Sequence, residues 1–148
     1  LKLIFLDIDG VLVTTNSMTP SDKYFGHTFD KKCVQNLIQM LNVTGAKIVI
    51  SSSWREGRTL AQLQSIFKAN GIEECVIGVT PSLNDGTNRG MEIKGYLEGC
   101  HGIDCFVIID DEEKMDDLEP FLLETDFRTG ITESIKDEVI RRLNISIG

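Results

Sequence analysis

Leu3-Ile-Phe-Leu-Asp-Ile-Asp-Gly-Val11 constrains the fold of this chain more than any other stretch. Four apolar residues, with no polar alternation, run straight into Asp7, Ile8, Asp9 and Gly10. A strand buried on both faces reads this way, and it belongs in a parallel sheet covered by helices. Side chains two apart on an extended backbone share a face, so Asp7 and Asp9 are expected to point into one crevice while Ile8 points away. Gly10 permits a sharp turn and a close approach to a ligand. Two carboxylates held together where a strand ends invite a divalent cation, because bare like charges so close resist ionisation. An acidic turn after a strand gives the same three letters, so the weight falls on the rest of the chain.

Strands and helices alternate from there. The first strand spans about Lys2 to Asp7, followed by a polar flap holding Pro20, Gly26 and His27. Asp30 to Leu41 carries Cys33, Val34, Leu37, Ile38 and Leu41 at helical spacing, and Gly45 ends the unit. Lys47 to Ile50 is a second buried strand running into Ser51, Ser52 and Ser53. Thr59 to Asn70 is helical, with Gly71 as its stop. Cys75 to Val79 is a third strand, Gly90 to Gly99 a short helix, and Asp104 to Ile109 a fourth strand ending in Asp110 and Asp111. Phe121 to Leu123 reads as a short edge strand, and Thr132 caps a last helix. Such alternation predicts an α/β fold: a three-layer, Rossmann-like parallel sheet with helices on both faces. Residues 1–148 read as a single domain, with no repeats and no dividing linker.

Composition narrows the functional classes. With 148 residues, 41% hydrophobic and 26% charged, the chain has ordinary globular proportions. A net charge of -8 argues against backbone-wide nucleic-acid binding, though not against contact with one phosphorylated end through a bound metal. Four cysteines without a CxxC pair point to reduced structural thiols in a cytoplasmic protein. No apolar run approaches membrane-spanning length, and no signal-peptide pattern precedes the first strand.

Ligands bind beyond the carboxyl ends of strands in folds of this kind. Three strands end there in polar groups suited to a common site, namely Asp7 and Asp9, Ser51 to Ser53, and Asp110 with Asp111. A structural sheet needs no acid pairs where two buried strands stop. Converging carboxylates would repel without a cation, and hard oxygen ligands with no histidine cluster favour Mg²⁺ over zinc.

The ordered set of motifs resembles the haloacid dehalogenase-like (HAD) phosphohydrolase superfamily. Phe5-Leu-Asp7-Ile-Asp9-Gly-Val11 looks like its first motif, Ile48-Val-Ile-Ser-Ser52 its second, and Val107-Ile-Ile-Asp110-Asp111 its fourth. Arg89-Gly90 is similar to the third, where lysine is usual, and Lys94 one turn along competes for that place. Among the serines Ser52 suits the usual register, with Ser51 and Ser53 as alternatives. A narrower resemblance, to HAD domains associated with Swiss Army Knife RNA repair proteins, lies in Ser51-Ser-Ser-Trp-Arg55, Val76-Ile-Gly-Val-Thr-Pro81, Arg89-Gly-Met-Glu-Ile93 and the Gly130-Ile-Thr132 turn.

The resemblance implies a phosphatase. Asp7 would be the nucleophile that forms an aspartyl-phosphate, and Asp9 the general acid and base. Asp7, the Asp9 backbone carbonyl, Asp110 and Asp111 would hold Mg²⁺, while Ser52 or Ser51 and Arg89 or Lys94 would hold phosphoryl oxygens. Neither the interval from Asp9 to Ser52 nor that from Ser52 to Arg89 has room for a large cap domain. The open crevice this leaves suits a nucleic-acid end, a nucleotide phosphate or a phosphoprotein, or a partner domain or protein that completes the site. Trp54 and Arg55 read either as ligands of a base or phosphate or as packing with a salt bridge. Asp116 and Asp117 read as a solvated acidic face or an outer metal contact. Glu112, Glu113 and Lys114 read as surface. Three other readings stand beside a phosphatase of nucleic-acid ends or nucleotides: a small-metabolite phosphatase, a phosphate-binding or regulatory module with little turnover, and a receiver-like phosphoacceptor. The DxDG spacing and the late acid pair argue against the receiver.

Overall fold

A computed structural model describes residues 1–83, 88–112 and 115–145; Glu113 and Lys114 lie outside the described residues. Five parallel strands form one sheet: β1 (Lys2–Leu6), β2 (Lys47–Ile50), β3 (Val76–Val79), β4 (Cys105–Asp110) and β5 (Leu122–Glu124), in the order β3-β2-β1-β4-β5. The helices are α1 (Lys31–Thr44), α2 (Leu60–Ala69), α3 (Arg89–Glu98) and α4 (Glu133–Ile145), with 3₁₀ segments at Ser53–Arg55 and Asp116–Phe121. This is the parallel α/β architecture expected from the alternation of elements.

Local chemistry places each helix. The Asp30 carboxylate accepts from the Lys32 N–H at the start of α1, and Gly45 closes that helix at φ 70° in the left-handed region. Thr59 and Gln62 form a reciprocal capping box on α2, and the Asn88 side chain caps α3 through the Met91 N–H. Leu37, Leu63, Phe67, Val139 and Leu143, from α1, α2 and α4, bury against one face of the sheet beside Ile4, Leu6 and Ile50. Ile93 of α3 and Leu118 cover the other face over Leu3, Phe5 and Val49. Among the described residues, the interval between β1 and β2 holds the flap and α1. That between β2 and α3 holds only a 3₁₀ turn, α2 and β3, so no large cap intervenes. No described helix is long and apolar enough to cross a membrane.

The strand order reverses direction between β1 and β4, and such a switch point opens a crevice at the carboxyl ends of the strands. Leu6 pairs with Ile50 on one side and Ile109 on the other. The next residue of each strand is therefore Asp7, Ser51 or Asp110, side by side at the mouth of that crevice.

Candidate active site

β1 ends at Leu6, one residue before the sequence suggests. The Ile8 carbonyl accepts from the N–H groups of Val11, Leu12 and Val13, so the chain coils directly after Asp7. Extended alternation stops there, and the two acids part company. The carboxylates of Asp7, Asp110 and Asp111 lie within 4.8 Å of one another, whereas the Asp9 Oδ1 accepts a 3.0 Å hydrogen bond from the Trp54 indole Nε1. Ile8 points away into the larger core, as alternation predicts.

Asp7 is buried, at 3% exposure, and its Oδ1 accepts from the Ile8 N–H at 2.8 Å. Burial pushes its pKa up to about 6, although Arg89 and a hydrogen bond from the Ser52 hydroxyl pull the other way. Asp110 is fully buried, and its pKa is pushed up to about 9 by desolvation and then by the neighbouring Asp7 charge. The Arg89 Nη1 sits 3.1 Å from Asp7 Oδ1 and 3.3 Å from Asp110 Oδ2, and also donates to the Ser51 carbonyl. Three carboxylates facing one guanidinium leave a charge deficit that a hard divalent cation matches. A glycine supports this arrangement. Gly10 has φ +80°, and a Cβ there would lie 2.4 Å from Asp111 Oδ2. The acids, their raised pKa values and the close approach at Gly10 all fit a Mg²⁺ site.

The basic residue is delivered by close helix packing. A Cβ on Gly90 would stand 2.1 Å from the Met115 carbonyl oxygen, so only glycine lets the start of α3 come this near to the segment after β4. Arg89, the first residue of α3, thereby reaches back to the strand ends. Lys94 is not brought there; it pairs with Asp116 and Asp117. Of the serines, Ser52 is buried and its hydroxyl oxygen accepts from the Trp54 N–H, Ser51 is buried with no partner for its hydroxyl, and Ser53 is exposed.

The family model for the HAD domain in Swiss Army Knife RNA repair proteins matches residues 3–135. The chain belongs to this family. No curated protein matches it.

In this HAD domain, the Trp54 and Arg55 side chains are both largely buried. Trp54 is 7% exposed, and Arg55 makes a 2.7 Å ion pair with Glu92, the two side chains only 9% and 10% exposed. Glu92 also accepts from the Leu83 N–H. Its role was not legible in sequence, since a glutamate on a short helix ordinarily faces solvent. Glu112, expected at the surface, is exposed, but its carboxylate still stands 4.0 Å from the Arg89 Nε. His101 is exposed, and the His27 carbonyl accepts from the Tyr24 hydroxyl within the flap. All four cysteines are free thiols, and burial pushes Cys33 up to about 11.

Proposed function

We propose that this HAD domain is a Mg²⁺-dependent phosphomonoesterase working through an aspartyl-phosphate on Asp7. Its substrate would be a nucleic-acid end or a nucleotide phosphate. One observation carries the reading: Asp7 stands at the topological switch point, held by Arg89 and facing Asp110 and Asp111. Asp7, Asp110, Asp111 and the Asp9 carbonyl would hold Mg²⁺, which when bound offsets the negative charge of the phosphoryl group and of the acids themselves.

The chain's own residues do the rest. The Asp7 carboxylate oxygen attacks phosphorus in line, the bond from phosphorus to the leaving oxygen breaks, and Asp9 gives its proton to that oxygen. A water then attacks the same phosphorus while Asp9 takes its proton, which regenerates Asp7 and releases phosphate. Ser52 and Arg89 hold the non-bridging oxygens through charge-assisted hydrogen bonds. Ser51, with its buried unpartnered hydroxyl, is the alternative to Ser52. Lys94 is committed to its own acid pair, which favours Arg89 as the phosphate cation. The absence of a cap among the described residues suits a large substrate, or a partner domain that closes the crevice. The family's association with RNA repair favours a polynucleotide terminus, and the free thiols suit a reducing cytoplasm.

Phosphate release from an aryl phosphate and from 3′- and 5′-phosphorylated oligoribonucleotides, with and without Mg²⁺, tests this. Metal-dependent release by wild type, abolished in Asp7→Asn, is expected. A folded wild-type protein that releases nothing from any of them would make this a phosphate-binding module or an incomplete site instead.

A further inference from the structure

We propose that Trp54 is a positioning residue for the general acid: its indole N–H fixes the carboxylate of Asp9 so that one oxygen remains free to exchange a proton with the leaving group. This role rests on the phosphohydrolase reading and adds to it a residue outside the acid cluster.

The geometry is built around two hydrogen bonds from one residue. The indole Nε1 donates to Asp9 Oδ1 at 3.0 Å, and the Trp54 backbone N–H donates to Ser52 Oγ at 3.2 Å. The second contact occupies a lone pair of the hydroxyl of Ser52, whose interaction lowers the Asp7 pKa. The first engages Asp9 Oδ1, so Oδ2 is the oxygen that would meet the leaving group. A buried indole N–H needs an acceptor, but a backbone carbonyl would meet that need equally well. Here the acceptor is the acid itself, 45 residues away in sequence.

The ring is caged so that it cannot rotate away. The Arg58 guanidinium lies over it at 4.9 Å, and Arg58 also donates to the Trp54 and Phe25 carbonyls. Tyr24 and Phe29 meet the ring edge-on, at centroid separations of 6.2 and 6.0 Å. Gly26 of the flap presses against it so closely that a Cβ would lie 2.8 Å from Cη2. The flap therefore holds the indole, and the indole holds the acid.

The test uses Trp54→Phe, which keeps an aromatic ring in the cage and removes the donor together with part of the ring's volume. For each variant, kcat/KM is measured on a nitrophenyl phosphate and on an alkyl phosphate such as a nucleoside monophosphate. This parameter stops at the first irreversible step, transfer to Asp7, where only the alkoxide needs a proton. General acid catalysis contributes ~10²–10⁴-fold when the leaving group needs it. Trp54→Phe should lose about 10- to 50-fold on the alkyl ester and about threefold or less on the aryl ester. Equal losses on both esters would overturn the proposal and leave Trp54 as packing under the flap. Trp54 is the only tryptophan, so its indole N–H gives a single NMR resonance that needs no activity to read. In Asp9→Ala that resonance should shift and exchange faster with solvent, and an unchanged resonance would overturn the proposal even if Trp54→Phe fails to fold. No Asp7-dependent release from either ester by folded wild type would overturn the phosphohydrolase reading and this role with it. Equal losses in an active enzyme overturn only the role of Trp54.

Discussion

Replacing Asp7 with asparagine should stabilise the protein in the absence of metal. Asp7 and Asp110 are buried carboxyls held close together, and their pKa values are raised to about 6 and about 9. In the unfolded chain both return to the ordinary carboxylate range near 4. Between that value and 6, the folded state keeps a proton on Asp7 that the unfolded chain has lost. Stability contributed by that proton is therefore fully present below the unfolded pKa and is lost as pH rises through the folded one. At 1.36 kcal/mol per tenfold change, Asp7 accounts for about 3 kcal/mol of loss by pH 8, and protein relaxation reduces this toward 1. Asp7→Asn removes the titrating charge and the repulsion on Asp110, at the cost of the ion pair with Arg89, which retains Asp110. Urea unfolding in EDTA should show Asp7→Asn more stable than wild type by about 1–3 kcal/mol at pH 8, with the gap closing by pH 4. Saturating Mg²⁺ at pH 8 should narrow or reverse the difference, since a ligand at 100 times its Kd adds about 2.7 kcal/mol to the protein that binds it. A variant less stable than wild type at pH 8 in EDTA, or a gap independent of pH, would refute the burial-and-repulsion argument.

Two further substitutions probe the scaffold of the site. Gly90→Ala places a methyl against the Met115 carbonyl, and because the obstacle is backbone, α3 must move. A loss of about 2–4 kcal/mol is expected, read by thermal or urea unfolding, and a wild-type melting curve would show the packing to be looser than described. Glu92→Gln leaves the buried Arg55 guanidinium without its counter-charge, and urea unfolding should register a cost of about 2–4 kcal/mol. Arg55→Met combined with Glu92→Leu should recover most of that loss, and a double variant worse than Glu92→Gln would place the value of the pair elsewhere.

The strands were legible because a parallel sheet covered on both faces leaves unbroken apolar runs, and the acids stood out because they interrupt those runs. Boundaries were legible where capping chemistry marks them, as at Asp30, Thr59 and Gly45. They slipped where tertiary contacts decide. α1 runs on to Thr44, whose hydroxyl bonds back to the Met40 carbonyl. Phe121 belongs to a 3₁₀ segment and stacks on Phe106 rather than opening β5. The 3₁₀ turn at Ser53–Arg55 is too short to carry a period. In the site, sequence put Arg89 first with Lys94 competing; the close approach at Gly90 brings Arg89 to Asp7, while Lys94 pairs with Asp116 and Asp117. The bond from Trp54 to Asp9 was out of reach, because it depends on a flap folding over an indole.

Asp7 and the Asp110–Asp111 pair arrive on neighbouring strands, β1 and β4, joined rung by rung as far as Leu6 and Ile109, with the Asp7 N–H donating to the Ile109 carbonyl. Relative placement of the three carboxylates is thus set by one pair of central strands. The outer strands β3 and β5 flank this pair at the edges of the sheet. Sequence drift can accumulate along the outer edges of the sheet while the spacing between Asp7 and the Asp110–Asp111 pair stays fixed. A fold arranged in this way can change its clientele without relearning its reaction.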